Sequence, residues 1–244
     1  MTTAQNGIVR HFKPTDREAV RRICCETGFL GNPVDPLFED RELFADYLTR
    51  YYTDCEPDSA MIYEESGVVK GYIIGSRLQK KQARFDMWHN VWLALRGGWR
   101  YFTRYNEASK KFIRWVITDA RKQVPFTPPG LAHFHVNLLP ESRGLAVVRV
   151  VIDQYLRYLV SVGETGVFGQ MVVYEKRRGE LFFARYGFRV VDVKEVTKYR
   201  DLTDQKVYLF TVVKDLRNTG SLYGEDLRDE VKKEKAQKKE RDEV

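Results

Sequence analysis

The spacing of apolar positions shifts along this chain between a period of two and one of about three and a half, and the shifts mark out its elements. Residues 7–12, GIVRHF, have β character. PTDREAVRRICCETG follows, with Thr15 and Glu18 at capping-box spacing, and predicts a helix stopped at Gly28. Residues 29–40, with Pro33 and Pro36, read as loop, and RELFADYLTRYYTD reads as a second helix. Two β-rich runs around Ser66 and Gly67 predict a hairpin. Residues 77–130 are a long, mostly helical segment closed by VPFTPPG, and LAHFHVNLLP is a strand. Leu145, Val148, Ile152, Tyr155 and Leu159 then recur at helical spacing. GVFGQMVVYE is a strand, RRGELFFARYG a short helix ended by Gly187, and FRVVDVKEVTKY and KVYLFTVVKDL two further strands.

This order predicts an α/β (α+β) fold, a mixed, mostly antiparallel sheet flanked by helices. We expect a single domain over residues 1–216, with a helical insert at 77–130 before the fourth strand, and a charged tail at 217–244 that lacks the apolar residues to pack. A chain of 244 residues, 43% hydrophobic and 31% charged, is ample for a core. Its apolar runs stay below the roughly 18 residues of a membrane span. The first residues carry no apolar leader. Cys24, Cys25 and Cys55 form neither a disulfide framework nor a metal pattern, so a reducing cytoplasm is expected.

Charge changes the picture in one place. The net charge is +7, yet residues 77–130 carry twelve basic residues against three acidic ones, so the remainder is near neutral. The same insert holds all four tryptophans, and Phe85, Trp88, Trp92, Leu95, Trp99 and Phe102 form one helical stripe, with a kink or break expected at Gly97–Gly98. The leading expectation is that the stripe packs on the core or on a second copy in a homodimer. A lid over an acceptor site comes next. A membrane or nucleic-acid surface is the least favoured.

The chemistry gathers around HVNLLPESRGLA, residues 135–146. Pro140 ends a strand, and Gly144 opens a helix whose free amides and positive dipole end suit a phosphate. PESRGLA resembles the Pro-x-x-Arg-Gly-x-Gly/Ala turn of the GNAT superfamily of N-acetyltransferases, with Glu141 at a position usually Gln or Arg. RYGFRVV resembles that family's junction between last helix and following strand, and IVRHFKPTDREAVRRI its opening strand and helix. The likeness spans about residues 7–215. AHFHVNLLP bears a looser likeness to acetyltransferase-like domains of O-GlcNAcase proteins.

The resemblance implies an acetyl-CoA-dependent N-acetyltransferase acting by direct attack of a primary amine, with acetyl-CoA as cosubstrate and no metal. It implies cofactor contacts at Leu138, Leu139, Glu141, Ser142, Arg143, Gly144, Leu145, Ala146 and Phe183, with oxyanion donors among the amides near Leu138 and Leu139. His133, His135 and Asn137 share one face of their strand. A carboxylate often stands where Asn137 does, so the base role passes to His135, to Glu175 or to water. The family's tyrosine acid falls on Phe183, leaving Tyr186, Tyr174 or no acid. The alternative is a non-catalytic coenzyme A-binding or interaction module acting through the insert. The acceptor's identity is not legible.

Overall fold

The computed structural model describes residues 7–174 and 179–217. The chain opens with β1 (Gly7–His11), α1 (Arg17–Thr27) and α2 (Arg41–Asp54). The hairpin is β2 (Ala60–Glu65) and β3 (Val68–Ser76). The insert contributes α3 (Gln79–Thr103), α4 (Glu107–Thr118) and α5 (Ala120–Gln123). Then come β4 (Ala132–Leu138), α6 (Leu145–Ser161), β5 (Gly166–Tyr174), α7 (Glu180–Ala184), β6 (Arg189–Glu195) and β7 (Val207–Asp215). The strands make one sheet in the order β1-β2-β3-β4-β5-β7-β6. Among the described residues β4–β5 is the parallel pair and the others are antiparallel.

Each sheet face has its own core. α1, α2 and the insert cover one, around Ile23, Phe38, Phe44, Tyr52, Tyr72 and Phe112. α6 and α7 cover the other, around Phe134, Leu138, Val151, Tyr155, Leu159 and Phe183. The alternation along β4 explains the division. Ala132, Phe134 and Leu138 face the α6 core, which leaves His133, His135 and Asn137 on the α1–α2 side.

Three local expectations are corrected. The cap of the first helix is not Thr15 with Glu18: Asp16 closes a short 3₁₀ turn by accepting the Lys13 amide at 2.7 Å, and Glu18 pairs with Arg17 instead. Asp16 also binds Arg10, whose guanidinium holds its carboxyl below the usual range. α3 runs unbroken through Gly97–Gly98. A Cβ at Gly97 would meet only a Leu43 methyl of α2, at an ordinary contact distance of 3.4 Å, so this glycine faces α2 without producing a kink. Finally, the aromatic stripe packs on the core at Phe85, against Tyr51, but not beyond it, where Trp88, Trp92, Leu95, Trp99 and Phe102 are exposed. His89, Leu93 and Gly97 face inward, and Trp88 and Trp99 are each 73% exposed.

Candidate active site

β4 leaves the sheet partway along its length. It pairs with β3 throughout, from Ser76–His133 to Gly71–Leu138. It pairs with β5 only at Ala132, His133 and Phe134, after which the two strands part. The Leu139 amide bonds the Lys70 carbonyl at 2.9 Å. Antiparallel alternation then turns the amides of Leu138 and Val136 away from β3, into the gap. The expected amide donor at Leu139 is therefore corrected, since its N–H is occupied; the amide that points into the gap beside that of Leu138 is Val136's, which the sequence did not single out.

At the carboxyl end of β4, Pro140–Ser142 makes a 3₁₀ turn into α6. Gly144 is the N-cap of α6, extended at φ −62° and ψ 144°, with no side-chain cap. Its conformation needs no glycine, and a Cβ there would meet nothing within 4 Å. The protein does not use the space, and Glu141, Arg143, Gly144, Leu145 and Ala146 are exposed around it. The first-turn amides, without intrahelical partners, point outward with the positive end of the helix dipole. A helix end of this kind can receive an anion.

Side chains in the turn are less available than its backbone. Ser142 is fully buried, with its amide on the Leu139 carbonyl at 2.9 Å and its hydroxyl on Glu65 at 3.3 Å, which corrects its expected cofactor contact. Arg143 folds back, its Nε on the Leu138 carbonyl at 2.8 Å and a terminal nitrogen on the Gly31 carbonyl. It fastens the turn to the loop after α1. Glu141 pairs with Lys70 of β3 at 2.9 Å, so a carboxylate that would repel phosphate is neutralised by the neighbouring strand.

Where β4 and β5 meet, a cleft of about 370 Å³ opens on the α1–α2 face, lined by His133, His135, Phe168 and Gln170 of the strands, Tyr52 of α2, and Gln79, Gln82 and Asp86 of α3. His133 Nε2 lies 2.7 Å from the Tyr52 hydroxyl, which accepts from Gln82 Nε2 at 3.1 Å. His135 makes ring contacts with Tyr52 and His133 and, among the described residues, no side-chain hydrogen bond. Burial drives both imidazoles toward the neutral form, to about 3 for His133, with His135 adding repulsion, and to about 4 for His135. Asp86 has no ion-pair partner among the described residues, and burial raises its pKa, opposed by nearby His89. Asn137 donates from Nδ2 to the buried Tyr72 hydroxyl at 2.7 Å and holds the strand rather than titrating. Tyr52, Gln82 and Asp86 went unnoticed in the sequence because only the docking of α3 on α2 brings them to β4.

The remaining expected residues lie elsewhere. Phe183 is buried in the α6–α7 core against Phe210. Tyr186 sits in the same core beside Phe182, across the sheet from His135. Tyr174, at the end of β5, packs on the same side as His135. Glu175 falls outside the described residues. Among the described residues no cluster of three or more His, Cys, Asp or Glu could hold a metal ion.

No family model matches the sequence. Solved structures do match the fold. SsHAT superposes with a TM-score of 0.54 at 23% identity, over 87% of this chain and 99% of that one. An N-acetyltransferase from Staphylococcus aureus Mu50 gives 0.50 at 12% identity, over 87% and 99%. A further acetyltransferase gives 0.50 at 14% identity, over 86% and 100%. These likenesses show the fold alone, one this chain shares with solved acetyltransferases over nearly the whole length of each neighbour.

Proposed function

We propose that this protein is an acetyl-CoA-dependent N-acetyltransferase acting on a primary amine. The observation that carries the proposal is the parting of β4 from β5 after Phe134, in line with the uncovered amino terminus of α6. The gap offers strand-edge amides to a linear, amide-bearing arm, and the helix end offers a cradle to its pyrophosphate. Acetyl-CoA supplies the activated thioester. The amides of Val136 and Leu138 are the donors for the arm and for negative charge developing on the acyl oxygen. Leu145 and Ala146 contribute backbone amides at the phosphates, and Gly144 clears the approach.

The acceptor enters the cleft beside His133 and His135. Its walls hold neutral groups and the single carboxylate of Asp86, which selects a protonated amine by Coulomb attraction. An imidazole titrating at about 4 is too weak to strip a free ammonium. The amine therefore loses its first proton to solvent and attacks as the neutral base; His135 takes the second proton as the carbon–nitrogen bond forms and the nitrogen becomes acidic, and the carbon–sulfur bond then breaks to release the thiolate. A thiolate is a tolerable leaving group, so Tyr174 is an available donor rather than a required one.

Thiol release from acetyl-CoA with a panel of mono- and polyamines, beside thermal shift with coenzyme A, tests the assignment. Stabilisation by coenzyme A with turnover of cationic amines is expected, and neither stabilisation nor release would overturn it. A second reading, a coenzyme A-binding module without catalysis, is favoured by Phe183, which fills the core where the family's tyrosine stands. Coenzyme A binding without turnover of any amine separates the two.

A further inference from the structure

The 25 residues of α3 present two unlike faces. The inner face mixes apolar Phe85, Leu93 and Tyr101 with polar contacts to α2. His89 Nε2 meets the Asp46 carbonyl at 3.1 Å, Gly97 faces Leu43, and Arg96 and Arg100 pair with Asp46 and Asp40. The outer face carries Met87, Trp88, Val91, Trp92, Leu95, Trp99 and Phe102, with Phe102 85% exposed. Arg96 and Arg100 are the charged residues of that span and pair with Asp46 and Asp40; Arg96 and Arg50 also lie 5.4 Å from the Trp92 ring at the edge of the face, which leaves Met87, Trp88, Val91, Leu95, Trp99 and Phe102 as an apolar ridge about 22 Å long. Exposed cations stand at its ends, Lys80 and Arg84 before Trp88 and Arg104 after Phe102. Among the described residues none of these three side chains has a hydrogen-bond or ion-pair partner. The one acidic residue of the helix, Asp86, lines the cleft.

We propose that this ridge docks on an anionic phospholipid bilayer, with α3 lying flat at the interface. The ridge is convex, so a lipid surface can yield to it without a preformed groove. Tryptophans among aliphatic side chains, with cations at the edges, are the composition that sits at headgroup depth. The cations find anionic headgroups there. A second copy of the chain is the poorer occupant, because helix pairing in either direction sets unpaired cations against unpaired cations with no acidic residue on the face to offset them. No described helix is long and apolar enough to cross a membrane, so α3 lies on the bilayer and does not span it. Gln79, Gln82 and Asp86, on the first turns of the same helix, line the cleft, and docking holds its mouth near the lipid surface. The proposal does not depend on the acetyltransferase assignment.

Flotation of the full chain with vesicles of phosphatidylcholine, with and without phosphatidylglycerol, tests it, with tryptophan emission as second readout. Partition onto the anionic vesicles with a blue shift is expected. The doubly substituted Trp88→Ser, Trp99→Ser chain should lose about tenfold or more of that partition. The Arg84→Glu, Arg104→Glu chain should lose binding to anionic vesicles selectively. Both change exposed side chains, so an unaltered melting temperature is expected. Absence of binding to phosphatidylglycerol vesicles overturns the proposal. So does partition that survives the tryptophan substitutions, a dimer that those substitutions dissociate, or salt-dependent binding to DNA in place of vesicles.

Discussion

His133 and Tyr52 share a hydrogen bond of 2.7 Å across the floor of the cleft. Desolvation pushes the Tyr52 hydroxyl far above its ordinary pKa, so it keeps its proton, and Gln82 already donates to its oxygen. The tyrosine proton therefore goes to His133 Nε2, which leaves that ring engaged and His135 with its nitrogens free of side-chain partners. The two histidines should respond differently to replacement. His135→Gln is expected to lower kcat by about a hundredfold or more, the scale of a lost general base. His133→Gln should cost about tenfold or less, as a lost positioning hydrogen bond does. Steady-state kinetics on both variants, with coenzyme A affinity as control, decides between them. Equal losses would remove His135 from the base role.

Neutral, buried imidazoles make a second prediction about pH. The folded pKa values of about 3 and 4 lie below the unfolded 6.5, so the unfolded chain takes up protons that the folded one refuses as pH falls below 6.5. Stability contributed by these rings is thus fully present above 6.5, is lost progressively as pH falls to about 4 for His135 and about 3 for His133, and levels off below. The melting temperature should fall over that window, and replacing His133 with Gln should flatten the fall. The activity profile should show no histidine inflection near 6.5. A kcat/KM limb at that value, abolished by His135→Gln, would contradict the burial argument.

Gly144 separates binding from folding. Its φ and ψ suit any residue, and the N-cap lacks a side-chain acceptor. Aspartate is a strong N-cap and adds negative charge at the positive end of the dipole, so Gly144→Asp should stabilise the fold by a few tenths of a kcal/mol. The same carboxylate occupies the cradle and repels phosphate. Coenzyme A binding by calorimetry should vanish while the melting temperature holds or rises. Retained affinity would place the pyrophosphate elsewhere.

How far the sequence revealed this site follows from what each part depends on. The turn at Gly144 is local, since a strand, a proline and a glycine announce it, and the amphipathic spacing of α6 confirms it. The parting of β4 from β5 is not local, because period-2 alternation says nothing about which neighbour a strand keeps. Ser142 reads as a polar loop residue and is buried because Glu65 of the hairpin accepts its hydroxyl. The stripe of α3 reads as core by periodicity. Beyond Phe85 it faces outward because Asp40 and Asp46 draw Arg96 and Arg100, and with them their side of the helix, onto α2. Helical spacing names two faces but not the partner of either.

The pairing of Lys70 with Glu141 links the departure in the turn to its compensation. Both groups are partly solvent-exposed, so the pair contributes little to stability. Near a bound pyrophosphate it matters more, because Lys70→Ala leaves Glu141 as an unopposed carboxylate beside an anion. Coenzyme A affinity should weaken several-fold, more at low salt than at high, with the melting temperature unchanged. Adding Glu141→Gln to Lys70→Ala should restore most of the loss. An unrepaired double variant would mean that Lys70 contacts the phosphate itself.

Asp86 carries the prediction for the acceptor. Its carboxylate is the one negative side chain lining the cleft, and no cation among the described residues pairs with it. Asp86→Asn preserves shape and removes charge. Polyamines and diamines should then show KM raised about tenfold, the effect of losing one partly screened ion pair, while uncharged acceptors and coenzyme A bind as before. The contrast lies between acceptors on one enzyme, so a general loss of folding cannot imitate it. Equal losses for charged and neutral acceptors would show that Asp86 supports α3 rather than reading the substrate.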